Sequence, residues 1–537
     1  MNRREFINLF LKLTHFLIFQ FCKIVIRYKN ISDINHFDFN TFPSSKIELK
    51  KHVENGIFRN SNFNKNIHEL KIRGNANVIL SISSFSWLFL FSALNTHSTR
   101  KNTEYLFKKS KISNFNFNYP DWKTDITGYR LLALSLNSPF LRLTNLFSNT
   151  KKMAKFIYMH VLYLSICKMF LSRGLFRLRI NMGIFFSSFL LREKFLKRNS
   201  ILKDILNDLD KIFSNIDKIR NSSDLLEILF FMNRIIKFSS TSDLSNGQID
   251  KKIKLFLNII CPLIRGLSIG NNLLVRSHNS SGCSIYCELE KELSDAETSD
   301  FSIMKNPNGF LRIKSGHLTF LFDEKKESEF QYANDYMCSG FSFELVSNNN
   351  TIMQNNSSFY CHIGKSDQIL FLRNQMNTLG LSFVNNNSNN FDLKSKIVEV
   401  SHHRDFKNDY IEAEKIISLD KKLVFYKRRI SISFSGREII GKEIISLNQT
   451  FEKSHFFYLP FHIHPEIELW KSDQLGNFLL KSKNNEIWRF ETDQKNAVLE
   501  DYDFLDPLSL EIKNAYRIVF FNNFHQKLTT FNWKLYL

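Results

Sequence analysis

Between residues 150 and 266 apolar side chains return every three or four positions, in the stretches 153–170, 176–191, 201–216, 225–238 and 253–264. That spacing lines one face of an α-helix with core-forming residues. Five such stretches joined by short polar links predict stacked helical hairpins. Ser222, Ser223 and Asp224 supply an N-terminal cap ahead of Leu225, and the polar run 240–247 breaks the pattern before the last helix. Helix-length apolar runs also occur earlier, around 85–94 and 129–136.

After Asn271 the period changes from helical to alternating, and turn residues recur every ten or so positions. Phe341, Phe343 and Leu345 alternate, as do Ile430, Ile432 and Phe434 before the turn at Ser435-Gly436. Phe457, Leu459, Phe461 and Ile463 repeat the pattern, and Ile467 and Leu469 follow Pro465. Alternation of this kind marks strands with one face inward. The Asn-rich tracts 348–350 and 385–390 read as loops between strands. The expected class is therefore α+β and multidomain, with helices in front and antiparallel β-structure behind.

Length agrees with this division, since 537 residues exceed what one hydrophobic core usually organises. The expected parts are an N-terminal lead-in over 1–49, a helical domain over 50–270 and a β domain over 271–537. The lead-in starts with Asn2-Arg3-Arg4 and continues into apolar residues 6–26, interrupted by Lys12, His15, Gln20 and Lys23. A lysine in mid-segment makes a spanning helix costly, and no small-x-small cleavage site follows. An amphipathic helix fits better, packed on its own domain or making peripheral contact with a membrane through residues 5–26.

The chain carries 55 Phe, and 73 Lys and Arg against 52 Asp and Glu give a net charge of +21. Abundant Phe, Asn, Lys and Ile together point to a bias toward AT-rich codons. A basic surface still attracts polyanions, whether nucleic acid, acidic polysaccharide or anionic lipid. No tight Lys/Arg cluster with interleaved aromatics marks a nucleic-acid groove, so no specific nucleic-acid partner is expected. Seven scattered cysteines without a Cys-x-x-Cys pair argue against a disulfide framework or a structural zinc site, and Cys283 and Cys287 alone have a suggestive spacing.

Several phrases, taken in order, resemble the heparinase II/III family of polysaccharide lyases. They are Ser84-Phe85-Ser86-Trp87-Leu88, Asp125-Ile126-Thr127-Gly128-Tyr129-Arg130, Cys261-Pro262-Leu263-Ile264-Arg265-Gly266 and the turn Gly270-Asn271-Asn272. Further along come Asn308-Gly309-Phe310-Leu311-Arg312, Phe341-Ser342-Phe343-Glu344-Leu345, Val398-Glu399-Val400-Ser401-His402, Phe461-His462-Ile463-His464-Pro465 and Trp488-Arg489-Phe490. The resemblance implies an incomplete (α/α) toroid followed by a large antiparallel β-sandwich. It also implies β-elimination on a uronic-acid polysaccharide, and a place in the cell envelope or periplasm, although the N-terminus leaves the cytoplasm open. Elimination needs a group that neutralises the uronate carboxylate, a base for the acidified C–H and an acid for the leaving oxygen.

The chain departs from the family pattern at the residues for that chemistry. Where related lyases carry Asp-Gly-Gly-His and then Ser-Arg-Asn-Pro, this chain has Asp217 at the histidine position, followed by Arg220 and Asn221. A second family histidine is replaced within Tyr336-Met337-Cys338-Ser339, and a third falls at Gly380. The surviving catalytic candidates are His402, Arg220, Asn221 and Asp217. His462, His464 and Arg312 are the candidates for substrate binding.

Each candidate also has a plainer reading. Arg220 can pair with a uronate or merely precede a helix that Asn221 caps. His402 and His403 close a strand and can sit in a cleft or a solvated loop. Asp217 at an ordinary carboxylate pKa is a poor base for a carbon acid. Asp323 ends a strand phrase and can equally serve its turn. His462 and His464 project opposite Phe461 and Ile463, as a ligand pair or as polar residues on a half-exposed face. No complete ligand set accompanies them, so no cofactor is expected, a divalent metal at this pair being the alternative. The competing functions are a lyase, a non-catalytic glycan-binding or scaffold protein on the same fold, and a basic nucleic-acid or membrane-surface protein.

Overall fold

The computed structural model describes residues 3–29, 31, 84–85, 87–109, 117, 121–147, 150–191, 197–241, 247–276, 280, 282–283, 287–296, 302–324, 340–355, 377–383, 394–419, 422–449, 455–472, 474, 476–494, 497–505, 512–523 and 527–537. The lead-in after Ile31, the stretch Tyr336-Met337-Cys338-Ser339, the loop 385–390 and most of the break at 240–247 lie outside these residues.

The chain divides into two compact units. The first takes Met1–Ile216, Phe230–Gly247 and Ile285–Cys287, and the second Asp217–Leu229, Gln248–Ser284 and Glu288–Leu537. A boundary at residue 270 marks where helix gives way to strand, whereas the packing assigns helical segments on its N-terminal side to the second unit.

The helices of the first unit are α1 (Arg3–Tyr28), α2 (Trp87–Leu94), α3 (His97–Lys109), α4 (Thr124–Leu136), α5 (Ser138–Arg142), α6 (Thr150–Cys167), α7 (Leu175–Leu190) and α8 (Arg198–Phe213). The apolar periodicity located α6, α7 and α8 to within a turn, and 3-10 turns complete two of the three expected spans. Small residues let α4 and α7 run side by side. A Cβ on Gly183 would sit 3.4 Å from the Gly128 carbonyl oxygen, and Ser135 Oγ lies 2.7 Å from Ser187 Oγ. Between α7 and α8, Asn181 Nδ2 donates to Asp208 at 2.7 Å, and burial raises that carboxyl to about 6 despite the amide and Arg177 nearby.

Helix α9 (Ser222–Thr241) is shared by the two units. Helix α10 (Gly247–Leu267), all but its first residue in the second unit, leads into the two-stranded ladder of β1 (Ser268–Gly270) and β2 (Leu273–Leu274). Gly270, Asn271 and Asn272 all have positive φ at the turn. A short helix, α11 (Leu289–Asp295), interrupts the β-half where the alternating pattern gave no sign of it.

The remaining strands are antiparallel. One sheet joins β3 (Phe310–Ser315), β4 (Leu318–Asp323), β5 (Phe343–Ser347) and β6 (Asn350–Met353), and another β7 (Gly380–Phe383), β12 (His455–His462), β16 (Val498–Leu505) and β17 (Ile512–Asn523). A bridge between Met353 and Ile463 links them edge to edge. The eight-stranded sheet runs β13 (Glu468–Lys471), β14 (Asn477–Lys481), β15 (Ile487–Thr492), β18 (Leu528–Tyr536), β11 (Glu438–Leu447), β10 (Lys422–Ser433), β9 (Asn408–Leu419) and β8 (Lys394–Arg404).

One core holds these sheets together. It includes Phe320, Phe343, Leu345, Phe461, Ile463, Ile518 and Phe520 from the linked sheets and Tyr426, Ile430, Phe490 and Trp533 from the eight-stranded one. Trp533 stacks on Phe343 at 5.9 Å and meets Phe461 edge-on at 5.2 Å. Aromatic pairs at these distances add to the burial of their area. The Phe-rich composition is spent here and in the helical unit.

Trp533 needs Gly441 beneath it. A Cβ at 441 would lie 1.9 Å from the indole, which is also held by donating Nε1–H to Glu443 at 2.9 Å. Gly441→Ala should therefore lower unfolding free energy by about 1–3 kcal/mol, the usual range for overpacking a core. Urea unfolding of the two proteins measures it, and an unchanged midpoint would contradict this packing.

Candidate functional site

Strand pairing fixes which side chains share a face. Arg312 lies opposite Leu321, which lies opposite Glu344. Leu345 opposes Met353, so Glu344 and Gln354 are neighbours one position along. Met353 bridges Ile463, with Gln354 N–H donating to the His462 carbonyl, and His462 in turn opposes Arg517, which opposes Glu500. The result is a row, Arg312, Leu321, Glu344, Gln354, His462, Arg517 and Glu500, across the face turned away from the Phe-rich core. The expectation that His462 projects opposite Phe461 is met, because Phe461 is in that core.

The middle of this face is buried where a half-exposed one was expected, while His464, Arg517 and Glu500 stay partly exposed. His462, Gln354 and Glu344 have at most 1% of their surface accessible. Tyr502 covers His462 edge-on at 4.9 Å, and Phe504 covers His464 at 5.2 Å. Arg276, on the segment after β2, places its guanidinium 4.6 Å from the centre of the Phe504 ring. Aromatic neighbours from β16 of the same sheet, with Arg276, thus bury the middle of the row, and the alternating sequence pattern carries no information about such a cover.

Within it the polar groups hold one another. His462 N–H donates to Asn377 Oδ1 and its Nδ1 lies 3.0 Å from the same oxygen. Asn377 donates its backbone N–H to Asn355 Oδ1 and its side-chain amide to the Phe343 carbonyl. Glu344 Oε1 accepts backbone N–H bonds from Arg276 at 2.9 Å and Asn355 at 3.2 Å. Burial lifts the Glu344 carboxyl to about 8 against the pull of those donors and the Arg276 charge. Among the described residues neither amide atom of Gln354 nor Glu344 Oε2 has a hydrogen-bond partner. Sequence reasoning missed Glu344, Asn377 and Arg276; the one available signal was Glu344, a charged residue inside an otherwise apolar strand.

Arg220 packs on the same sheet. Its guanidinium forms a buried ion pair with Asp323 of β4, donates to the Asn308 carbonyl at 3.2 Å and the Gly309 carbonyl at 3.3 Å, and lies 5.1 Å from the Phe310 ring centre. Asn221 caps α9, its Oδ1 accepting from Ser223 N–H at 3.0 Å and Asp224 N–H at 3.3 Å. Asp217 is exposed in a 3-10 turn. Arg312 donates to the carbonyls of Gly266 and Ser268, and burial lowers its pKa.

His402 belongs elsewhere, on the edge strand of the eight-stranded sheet. Its Nε2 lies 3.1 Å from Asp409, which also accepts two bonds from Arg404 at 2.8 and 2.9 Å. The structure therefore gathers Arg220, Arg312, His462 and His464 on one sheet face and leaves His402 and Asp217 off it. Among the described residues no three His, Cys, Asp or Glu side chains are grouped to hold a metal ion.

A crystal structure of heparinase III matches over 84% of this chain and 76% of its own, with a TM-score of 0.55 and 10% identity. A second heparinase III matches over 96% and 88%, at 0.50 and 10%. The chain shares the fold of heparinase III. At this identity the likeness is one of architecture and carries no residue roles with it. No family model matches the sequence, and no curated protein matches it. In the heparinase III-like sheet described above, the residues that survive from the sequence phrases are engaged as structural partners.

Glu344 gives this a pH signature. Its folded pKa of about 8 lies above the ordinary 4.5, so the folded state holds an extra proton between those values. The stability this group contributes is complete below about pH 4.5 and is lost as pH rises through about 8. Glu344→Gln keeps the accepting oxygen and removes the charge. Its unfolding free energy relative to the unaltered protein should rise steadily from about pH 5 to about pH 8, and a difference independent of pH would contradict a protonated Glu344.

Proposed function

We propose that this chain engages an acidic, uronate-containing polysaccharide on its heparinase III-like fold, as a binding protein and not by β-elimination at the residues described above. The observation behind this is the state of the retained candidates. Arg220 is 2% exposed and spends its guanidinium on Asp323 and two carbonyls. Asn221 spends its oxygen on a helix cap. His462 is fully buried against Asn377 and Tyr502. A uronate carboxylate needs a donor that is within reach and not already neutralised. A base must come within about 3 Å of the proton it removes. None of the three meets its requirement, while the net charge of +21 favours a polyanion. Such a polymer belongs to the cell envelope or its surroundings.

Elimination on the same polymer is the second reading, favoured by the fold shared with two heparinase III structures. One experiment separates the two. The full chain is titrated with a panel of uronate polymers while binding and the absorbance of unsaturated product are followed together. The expected outcome is binding that weakens with added salt, without growth in absorbance. Absorbance that grows with time establishes the lyase instead, and no binding to any polymer defeats both readings.

A further inference from the structure

Helix α1 has two apolar faces, and the protein covers one of them. On the covered face Phe19, Cys22 and Ile26 are buried. Phe19 meets Trp122 edge-on at 4.6 Å, His15 Nδ1 lies 2.5 Å from the Tyr163 hydroxyl, and Lys29 donates to the Tyr158 hydroxyl at 2.7 Å. These contacts run antiparallel along α6, and burial pushes the Cys22 thiol up to about 12. From His15 to Lys29 the helix is therefore docked on its own unit, whereas Leu9 to Leu13 are exposed all round.

The other face bears Phe10 (60% exposed), Leu13 (54%), Leu17 (58%), Phe21 (55%), Ile24 (57%) and Tyr28 (81%). Their spacing of three and four residues makes a single stripe. At about 100° per residue it centres roughly half a turn from the docked positions 15, 19, 22 and 26. Lys12, Lys23 and Arg27, all exposed, fall along one border between the two faces, where the exposed Leu9 and Phe16 interleave with them. Met169 and Phe170 are 67% and 73% exposed just past Cys167, whose Sγ lies 3.9 Å from His15 Nδ1, and they add apolar surface at that end.

Leu9–Tyr28 is long and apolar enough to cross a bilayer by length and composition alone. A spanning helix meets lipid or apolar partners all round, whereas this one offers the His15 imidazole and the Lys29 ammonium to tyrosines of α6. An apolar stripe of about 30 Å, bordered by a basic row and backed by protein, matches a helix lying in the plane of a membrane surface. The basic row lies where lipid headgroups would be, and anionic headgroups complement it.

We infer that α1 seats the protein on an anionic lipid surface, with Phe10, Leu13, Leu17, Phe21, Ile24 and Tyr28 in the acyl boundary and Lys12, Lys23 and Arg27 at the headgroups. Flotation of the full chain with vesicles tests this, using phosphatidylcholine alone and phosphatidylcholine with phosphatidylglycerol in equal parts. The protein should float with the anionic vesicles, less so at high salt. Leu17→Glu combined with Ile24→Glu should lower partitioning by more than about tenfold. Both side chains point away from α6, so thermal unfolding of this variant should match the unaltered protein, which separates lost docking from lost folding. Failure to float with anionic vesicles overturns the inference, as does flotation of the variant equal to that of the unaltered chain. A dimer in solution that the same substitutions dissociate, with no vesicle binding, assigns the stripe to a second copy and also overturns it.

Discussion

The ion pair of Arg428 and Glu443, both fully buried inside the β unit, is the interaction on which the packing of its sheets depends. Arg428 Nε lies 2.9–3.0 Å from both carboxylate oxygens, and Tyr426 and Trp533 donate to the same carboxylate. A charge taken this far from water survives only when partners meet it with good geometry. Arg428 then donates to the carbonyls of Phe341 and Asn377. Asn377 in turn holds His462, and through Asn355 it reaches Glu344 and the backbone of Arg276. A single line of hydrogen bonds thus runs from the eight-stranded sheet, through the core, to the far face of the linked sheets.

That line explains why residues with the right chemistry for catalysis do other work. The linked sheets have a Phe-rich face toward the core and a polar face whose middle lies under a layer of side chains, from Tyr502 and Phe504 of β16 in the same sheet and from the segment containing Gly266, Ser268 and Arg276. Polar groups under such a layer must find partners or carry the penalty of desolvation. Arg220 finds Asp323, Arg312 finds two carbonyls, and His462 finds Asn377. Glu344 answers differently, by retaining its proton. On this basis the polar residues of this face serve cohesion.

Periodicity made the elements legible. Three- and four-residue spacing located α6 through α10, although only α8 and α10 bury a single stripe and α6, α7 and α9 are buried over most of their circumference. Alternation located β10 and β12 because one face of each enters the core. Asn221 was legible as a cap from its position before Ser222-Ser223-Asp224. The site was less legible for a physical reason. Alternation distinguishes the two faces of a strand but does not say whether the second face is covered, so His462 could be placed on a face without its burial being foreseen. Helical periodicity likewise does not name the unit a helix packs with, and α10 joins the β unit. Partners distant in sequence, such as Asp323 for Arg220 and Asp409 for His402, emerge only once strands are in register.

The central claim is that the polar residues of this face hold the sheet together, and Arg220→Ala tests it most directly. Removing Arg220 takes from the buried Asp323 carboxylate its guanidinium partner. Urea unfolding should show a loss of about 3–5 kcal/mol, with polymer binding by the remaining folded protein unchanged. Unaltered or increased stability, together with lost engagement of the polymer, would contradict the account and return Arg220 to the functional site.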